Sequence, residues 1–398
     1  METNKTNKVT TTLCMIVKNE SHIIHECLNS VYKYIDYWVI CDTGSTDGTQ
    51  EIIKKFFEEK NIPGELHQHE WKGFGPNRTA AFDLCKGKAD YAFVIDADDY
   101  IEGSLPRITN KEADAFSLKM GRVDFSWWRT QIFRLDLDWE YVGVLHEYPK
   151  PRTKPVPAIS KLEGNYRIVA RTMGARNLNI TPIEKYAKDA EVLEKALLDE
   201  PDNQRYMFYL GQSYFDSQQW AKSEEAYSRR VKAGGWPEEV YFSLLRVAMC
   251  KAMQDKPWPE IQQAFLDAYN YRPIRAEPLF HLAQIYRQKF NSPVLAYMYA
   301  RAAMDIPFPK DEILFVPDAV YNWAVLDEVA STAAFAGYPL VGFEASKKLL
   351  QSGKVPQDQL KRVQDNHNSY LKILDDLKSK GILIPEQVPP TKKKKKHK

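Results

Sequence analysis

The sequence predicts an α/β domain built on a doubly wound, mostly parallel sheet, followed by an all-α domain of helical repeats. Three observations favour this fold class. Apolar runs and helical patterns alternate four times over the first hundred residues, with short loops between them. From about residue 181 the composition changes to Ala, Leu, Tyr, Glu and Lys in helical periodicity. At 398 residues the chain is also long for one hydrophobic core.

These patterns divide the chain into four predicted parts. The sheet domain is expected over residues 11–175 and the helical-repeat domain over residues 181–380. The polar N-terminus, residues 1–10, and the Lys-rich tail, residues 381–398, are expected to be disordered and solvated.

Composition limits the classes of partner. The formal net charge is +2, but Lys392 to Lys396 and Lys398 contribute six positive charges, and without these six lysines the balance is 2 − 6 = −4. This balance argues against a nucleic-acid-binding surface. The five cysteines are odd in number and form no CxxC pair, which favours a reducing compartment. The N-terminus lacks the apolar core of a signal peptide, and no segment approaches the roughly 18 apolar residues of a membrane span. We therefore expect a soluble, cytoplasmic protein without a membrane span.

Polar side chains follow the predicted strands at residues 11–17, 37–42 and 91–95. They include Glu20 after the strand at 11–17, Asp42 at the end of the strand at 37–42 and Asp96 after the strand at 91–95. Because the carboxyl ends of neighbouring parallel strands meet at one edge of a sheet, these groups should line one crevice. Asp42 could accept hydrogen bonds from a base or ribose, although a capped helix start explains this stretch equally well.

Three carboxylates, Asp96, Asp98 and Asp99, crowd the end of the run YAFVIDADD. Such crowding costs stability unless a cation or hydrogen bonds compensate it. A divalent ion with oxygen ligands, Mg²⁺ or Mn²⁺, holding a phosphorylated substrate would do so. The alternative is an acidic turn after a strand. His146 and Glu147 form a second informative pair, because imidazole can bind Mn²⁺ and a carboxylate can take a proton. The alternative for His146 is a hydrogen-bonded structural residue.

Four ordered motifs, LCMIVKNE, DTGSTDGT, FGPNRTAA and VIDADD, resemble those of the inverting GT-A glycosyltransferases of family 2. The resemblance covers about residues 10–150. The later segment WEYVGVLHE is similar to a shortened subgroup in which the sugar-transfer domain is joined to helical repeats.

The resemblance implies a nucleotide-sugar donor, with a UDP-sugar expected, and Mn²⁺ or Mg²⁺ as cofactor. Asp96-Ala97-Asp98 would be the DxD motif, with Asp98 on the metal, Asp96 on the ribose or metal, and His146 as a further metal ligand. The implied nucleotide-sugar-binding residues are Val17, Glu20, Asp42, Asn77, Arg78, Asp96, Ala97 and Asp98.

The catalytic base is where the sequence departs from the family pattern. Longer members carry a carboxylate pair well beyond the DxD motif, and no clear counterpart occurs here. Glu147 is the first candidate, followed by Asp138 and Glu140. In the implied reaction the base deprotonates the incoming nucleophile, and a single displacement inverts the anomeric configuration.

The C-terminal half resembles a short tetratricopeptide array of about three helix pairs. Leu210-Gly211-x-x-Tyr214 and Leu282-Ala283-x-x-Tyr286 fit that pattern, and Pro273 and Pro307 are 34 residues apart, which is the repeat period. Such an array could hold a glycan or polypeptide acceptor, or mediate homodimerisation.

Two rival functions remain from the sequence. One is an interaction scaffold of helical repeats with a degenerate, non-catalytic transferase domain. The other is a sugar-nucleotide pyrophosphorylase, which would require a Gly-rich basic loop where this chain has Lys18-Asn19-Glu20.

Overall fold

The computed structural model describes residues 8–122, 125–171, 173–174 and 180–382. The chain forms two compact units. The first contains the residues up to 239 together with 313–316, and the second contains residues 240–312 and those from 317 onward. The segments expected to be disordered lie mostly outside the described residues. Within them, Val9 is buried and the Thr10 amide donates to Asp90 (2.9 Å), so order begins before residue 11.

The strands of the first unit follow the predicted pattern closely at the N-terminal end. They are β1 Thr11–Val17, β2 Tyr37–Asp42, β3 Gly64–Gln68, β4 Tyr91–Val94, β5 Tyr100–Gly103, β6 Ala115–Arg122, β7 Phe125–Arg134, β8 Trp139–Val142, β9 Tyr148–Pro151, β10 Ile159–Lys161 and β11 Tyr166–Val169.

The main sheet has the order β3-β2-β1-β4-β7-β6-β11-β5, with β10 paired to β6. Strands β1 to β4 are mutually parallel where they pair, whereas β7 runs antiparallel to both β4 and β6. The predicted mostly parallel sheet is confirmed, with antiparallel pairing at β7. Strand β8 lies outside the main sheet, because it pairs with β9 in a separate hairpin.

Helices cover both faces of this sheet. The first unit contains α1 Ile24–Val31, a 3₁₀ turn Tyr32–Tyr34, α2 Thr49–Lys60 and α3 Phe74–Cys85. The alternate residues Leu13 and Met15 of β1 share one apolar cluster with α1 and α2, while Cys14 packs on the other face with Phe82 of α3. Since side chains alternate between the two faces of a strand, an uninterrupted apolar run such as TTLCMIV fills both cores.

An all-α region begins at Pro182, where Thr181 and Glu184 form a reciprocal capping box. Its helices are α4 Pro182–Asp199, α5 Gln204–Asp216, α6 Trp220–Ala233, α7 Pro237–Met253, α8 Trp258–Tyr271, α9 Glu277–Gln288, α10 Pro293–Met304, a π-helical turn Val320–Ala324, α11 Val325–Thr332, α12 Pro339–Ser352 and α13 Gln357–Ser379. Helices α4 to α6 cluster with the sheet in the first unit. The expected boundary near residue 180 therefore marks a change in secondary structure inside that unit.

The repeat signatures fall on paired helices. Gly211 of α5 lies so close to Tyr227 of α6 that a Cβ would come within 2.8 Å of the tyrosine ring. In the second unit, Tyr286 of α9 stacks on Tyr299 of α10 with 5.5 Å between ring centroids. None of the described helices combines the length and apolarity needed to cross a bilayer.

Candidate active site

The parallel strands β2, β1 and β4 are neighbours in the sheet, so their carboxyl ends meet at one edge, where the sequence predicts the crevice. Val17 is paired with Asp42 at this edge. The Val17 side chain is buried, and its carbonyl accepts hydrogen bonds from the amide (2.9 Å) and hydroxyl (3.0 Å) of Thr43. Val17 thus stabilises the strand end from the core, and its side chain does not face the crevice.

Asp42 is fully buried and uses its two oxygens differently. Oδ1 accepts hydrogen bonds from the amides of Gly44 (2.9 Å) and Ser45 (2.8 Å) and from the Gln50 amide group (3.2 Å). Oδ2 has no hydrogen-bond partner among the described residues. A buried carboxylate oxygen without a donor is costly, because ionised oxygens need hydrogen bonds to offset desolvation. Oδ2 of Asp42 therefore needs a donor that the described residues do not supply.

The loop after β1 is tied to the loop after β2. Asn19, at φ +55°, donates from its amide to the Ser45 hydroxyl (2.8 Å) and accepts the Thr46 amide on its own Oδ1 (2.8 Å). The Glu20 amide donates to the Thr49 hydroxyl (2.9 Å). These bonds hold the Glu20 backbone at the entrance of the crevice.

Asp96 and Glu147 meet through one buried arginine on α3. Arg78 donates from Nη2 to Oδ1 of Asp96 (2.6 Å), and its Nε forms an ion pair with Glu147 Oε1 (2.8 Å). The guanidinium also lies over the Tyr141 ring, 5.7 Å from its centroid. The motifs VIDADD, FGPNRTAA and VLHE, far apart in sequence, are brought together here.

Arg129 of β7 is a second cation at this carboxylate, and the sequence analysis missed it. Its Nη1 lies 3.5 Å from Oδ2 of Asp96, and its side chain is 39% exposed. Burial opposes ionisation of Asp96, but the charges of Arg78 and Arg129 hold its pKa well below the usual range. The antiparallel pairing of β7 with β4 brings Arg129 to this end of the sheet, and no local pattern in FSWWRT indicates that pairing.

Asp98 and Asp99 are held by the chain just beyond β11. Oδ2 of Asp98 accepts hydrogen bonds from the amides of Met173 (3.0 Å) and Gly174 (2.9 Å), and Oδ1 of Asp99 accepts one from the Arg171 amide (3.0 Å). Burial and the charge of Asp96 raise the pKa of Asp98, and they raise that of Asp99 to about 8. Further negative charge is therefore disfavoured in this part of the crevice, and Asp99 is largely protonated at neutral pH.

Glu20 lies beside the same carboxylate. A Cβ added to Gly174 would come within 3.3 Å of Glu20 Oε1 and 3.4 Å of Asp98 Oδ2. Glu20 and Asp98 therefore flank one glycine, which brings them close together as the sequence predicts.

The described residues contain no group of three or more His, Cys, Asp and Glu side chains arranged to hold a metal ion. Asp96, Asp98 and His146 are thus not assembled into a ready-made set of ligands. These residues fit a different mode of metal binding better than a complete set of protein ligands. Mg²⁺ commonly uses one or two carboxylates and takes its other ligands from water and substrate phosphates. Asp98, close to the charge of Asp96, fits that mode.

Several predicted residues have structural partners instead. Asn77 is buried, where it accepts the Lys72 amide (2.8 Å) and donates to the Glu70 carbonyl (2.9 Å), so it shapes the loop before α3. Ala97 is buried within the apolar core. The contacts described for Asn77 and Ala97 are with other groups of the protein, so they do not indicate that either side chain binds a ligand.

The ion-pair partners of Asp138 and Glu140 lie away from the crevice. Asp138 pairs with Lys86 (2.6 Å) and Arg152 (3.3 Å), and Glu140 pairs with Arg152 (3.0 Å). Lys86 follows the last residue of α3, eight residues beyond Arg78, which is about 12 Å along a helix. The two carboxylates therefore brace the β8–β9 hairpin, and Glu147 is the candidate base that lies beside Asp96.

His146 is oriented by the first helices of the all-α region. Its ring stacks on Tyr209 of α5, with 3.9 Å between centroids and 7° between ring planes. The stacking accounts for the ring position without a metal.

Residues 12–117 match the family model described as "Glycosyl transferase family 2". This part of the chain is a family 2 glycosyltransferase domain. The family resemblance is thereby confirmed, and the four motifs that carry it lie within or at the border of the crevice.

Other proteins resemble longer parts of the chain. The SPbeta prophage-derived glycosyltransferase SunS of Bacillus subtilis is 24% identical over 219 residues, covering 52% of this chain and 50% of SunS. A TPR repeat-containing protein of Synechococcus elongatus is 28% identical over 169 residues, covering 40% of this chain and 39% of that protein. The chain thus spans about half or less of the length of these curated relatives.

Among solved structures, S. aureus TarS 1-349 in complex with UDP-GlcNAc is similar at 16% identity and a TM-score of 0.33, covering 66% of this chain and 89% of the TarS chain.

Proposed function

We propose that this protein is a metal-dependent, inverting glycosyltransferase that moves a sugar from a UDP-sugar to a glycan or polypeptide acceptor. The family 2 domain and the composition of its crevice support the reaction class. The observation that carries the choice of donor is the buried Oδ2 atom of Asp42, to which none of the described residues donates a hydrogen bond.

One available carboxylate oxygen favours uracil over guanine. Oδ1 of Asp42 already accepts three hydrogen bonds, so only Oδ2 remains for the base. Uracil offers one imino N–H on its pairing edge, whereas guanine offers an imino N–H and an amino group side by side. A single acceptor satisfies uracil and leaves one guanine donor unpaired, which costs affinity.

The sheet spacing supports a nucleoside diphosphate across the crevice. Strand β1 separates β2, which ends at Asp42, from β4, which precedes Asp98. Two strand spacings are about 10 Å. A base at Asp42 would therefore direct its diphosphate toward Asp98.

Asp98 is the residue that would hold the divalent ion, with Glu20 beside it. When bound, such an ion supplies positive charge that stabilises the leaving diphosphate. Arg129 adds a further cation next to Asp96, and its partly exposed guanidinium can donate to diphosphate oxygens. Arg78, by contrast, is occupied by Asp96 and Glu147 and keeps both carboxylates in place.

Glu147 is the proposed base. It would take the proton from the acceptor as the nucleophilic atom forms a bond to the anomeric carbon and the bond from that carbon to the diphosphate oxygen breaks. The electron pair of the broken bond stays on the UDP oxygen, and the sugar is inverted in one step. Arg78, which pairs with both carboxylates, holds the Glu147 side chain beside Asp96.

The test measures UDP, dTDP and GDP binding by calorimetry with Mn²⁺ present. We expect UDP to bind, GDP to bind more weakly, and Asp42→Asn to weaken UDP about 10–100-fold, the size of a lost hydrogen bond to a charged group. Asp255→Asn, at an exposed carboxylate paired with Lys289, is the matched control and should bind like the wild type. Equal binding of UDP by the Asp42 variant would contradict the assignment. If the wild type binds no nucleotide, the scaffold function replaces the transferase.

A further inference from the structure

The loop between β8 and β9, residues 143–148, rests on helix α5 through three kinds of contact. The His146 ring stacks on Tyr209. The Arg205 guanidinium donates to the His146 carbonyl from Nε (3.1 Å) and Nη2 (2.7 Å). The same guanidinium lies over the rings of Tyr148 and Tyr209, 4.9 Å from each centroid. The His146 ring, the His146 carbonyl and the Tyr148 ring are thus all held by side chains of α5.

The apolar side of this loop is anchored as well. Leu145 is buried in a cluster with Leu193 of α4 and Tyr206 and Leu210 of α5. At Gly143, with φ +114°, a Cβ would lie 3.8 Å from the Tyr206 ring. Burial of the Leu145 side chain removes apolar surface from water and so keeps the loop seated on the helices.

The backbone of the loop is held in an unfavourable conformation. His146 has φ +50°, in the left-handed region that non-glycine residues seldom adopt. Such a conformation is costly for a residue with a side chain and persists only where surrounding contacts determine it. The contacts from Tyr209 and Arg205 converge on this residue.

The strained residue directly precedes Glu147. A change in the His146 backbone therefore redirects the Glu147 side chain, which is only 10% exposed and paired with Arg78. We propose that α5 is part of the catalytic apparatus, with Tyr209 and Arg205 as positioning residues that set the place of Glu147 in the crevice. This inference rests on the proposed role of Glu147 as base. It assigns the first helical repeat to the transfer step, in addition to any contact with an acceptor.

The proposal predicts a separation of kinetic constants. Loss of the stacked ring in Tyr209→Leu should lower kcat by about 10–100-fold, because a displacement of about 1 Å can cost that much. The KM for the donor should stay within about threefold, since Asp42 and Asp98 are not touched. Tyr209→Phe retains the ring and should restore most of the lost kcat. Arg205→Ala should resemble Tyr209→Leu, whereas Arg229→Ala, at an exposed arginine on the neighbouring helix α6, is the matched control.

Hydrogen–deuterium exchange provides a readout that does not depend on turnover. In Tyr209→Leu and Arg205→Ala, amides of residues 143–148 should exchange faster than in the wild type, while strands β1, β2 and β4 keep their protection. Unchanged exchange in this loop would overturn the proposal whether or not the protein transfers sugar. A joint fall of kcat, donor affinity and protection of the strands would also overturn it, because that result indicates general loss of fold. Absence of UDP binding by the wild type, with faster loop exchange in the variants, would instead locate the failure in the proposed function.

Discussion

Buried charges are treated in opposite ways in the two units of this protein. In the second unit, Arg275 donates to Glu277 (2.9 and 2.7 Å), and the hydroxyls of Tyr241 (3.2 Å) and Tyr321 (2.9 Å) donate to the other oxygen of that carboxylate. Glu312 lies 3.4 Å from Arg275 and is also paired with Arg272.

In the first unit, Asp98 and Asp99 lie close to the charge of Asp96, and Oδ2 of Asp42 has no donor in the part of the chain that the structure describes. The comparison teaches how to separate structural charges from functional ones. Where every buried oxygen has a partner, the network stabilises the fold. Where carboxylates crowd together and one oxygen is left over, the missing partner is expected to be a ligand. Four experiments test this distinction.

The largest effect is expected at the crevice in Glu147→Gln. The substitution removes a proton acceptor while keeping the shape of the side chain, so transfer should fall by about 10²–10⁴-fold. UDP affinity, measured by calorimetry, should change little because Asp42 and Asp98 are intact. A parallel loss of both would make Glu147 a binding residue instead of a base.

The second experiment breaks the compensated network. Arg275→Met leaves Glu277 and Glu312 buried with fewer cations, and we expect the free energy of unfolding to fall by about 3–5 kcal/mol. Urea denaturation followed by circular dichroism measures it. Lys289→Met, which removes an exposed pair with Asp255, should cost under about 1 kcal/mol. Equal losses in the two variants would remove the distinction between buried and exposed pairs.

The third experiment concerns pH and the second unit. Burial lowers the pKa of His281, which contacts the rings of Phe265 and Phe280, to about 4 from the ordinary 6.5. Between these values the unfolded ring binds a proton that the folded ring does not, so stability falls as pH decreases from 6.5 toward 4. From pH 7 to pH 5 this contribution is about 1–2 kcal/mol. His281→Phe should lose that part of the pH dependence in urea unfolding, and an unchanged slope would contradict it.

The smallest effect has the opposite sign. Asp98→Asn removes one carboxylate from the neighbourhood of Asp96 but keeps an oxygen for the Met173 and Gly174 amides. We expect the free energy of unfolding, measured in EDTA, to stay the same or rise by up to about 1 kcal/mol. Metal-dependent turnover should be lost in the same variant. A marked destabilisation would place Asp98 with the structural charges of the second unit.

The sequence predicted the central strands well because their signal is local. The runs that became β1 and β2 are apolar on both faces and could be buried only in the middle of a sheet. The proximity of Glu20 to the carboxylates after β4 followed from the expectation that neighbouring parallel strands end at one edge of the sheet. The repeat motif at Gly211 was likewise visible in the sequence, and the structure packs Gly211 against Tyr227.

Side-chain pairing across the fold was harder to predict. Asp138 and Glu140 have the residue type of a base, but Lys86 and Arg152 neutralise them, and only the three-dimensional arrangement reveals this. Arg129 is one basic residue among 55, and nothing in its local sequence marks it. The role of Tyr209 depends on α5 packing beside the loop that carries His146, a contact between segments about sixty residues apart. Hydrophobic periodicity predicts helices and strands, but it does not predict which long side chains form ion pairs or which distant segments come into contact.

The edge of the main sheet has a consequence for how the chain folds during synthesis. Strand β5 pairs with β11, and Glu102 meets Arg167, 65 residues further along the chain. The amides that hold Asp98 and Asp99 come from the segment immediately after β11. On a ribosome, therefore, the first four strands can emerge and pair while the acidic turn after β4 still lacks its covering chain. Because long-range pairing is slow and exposes unpaired strand edges, chaperone contact during translation should concentrate in this interval.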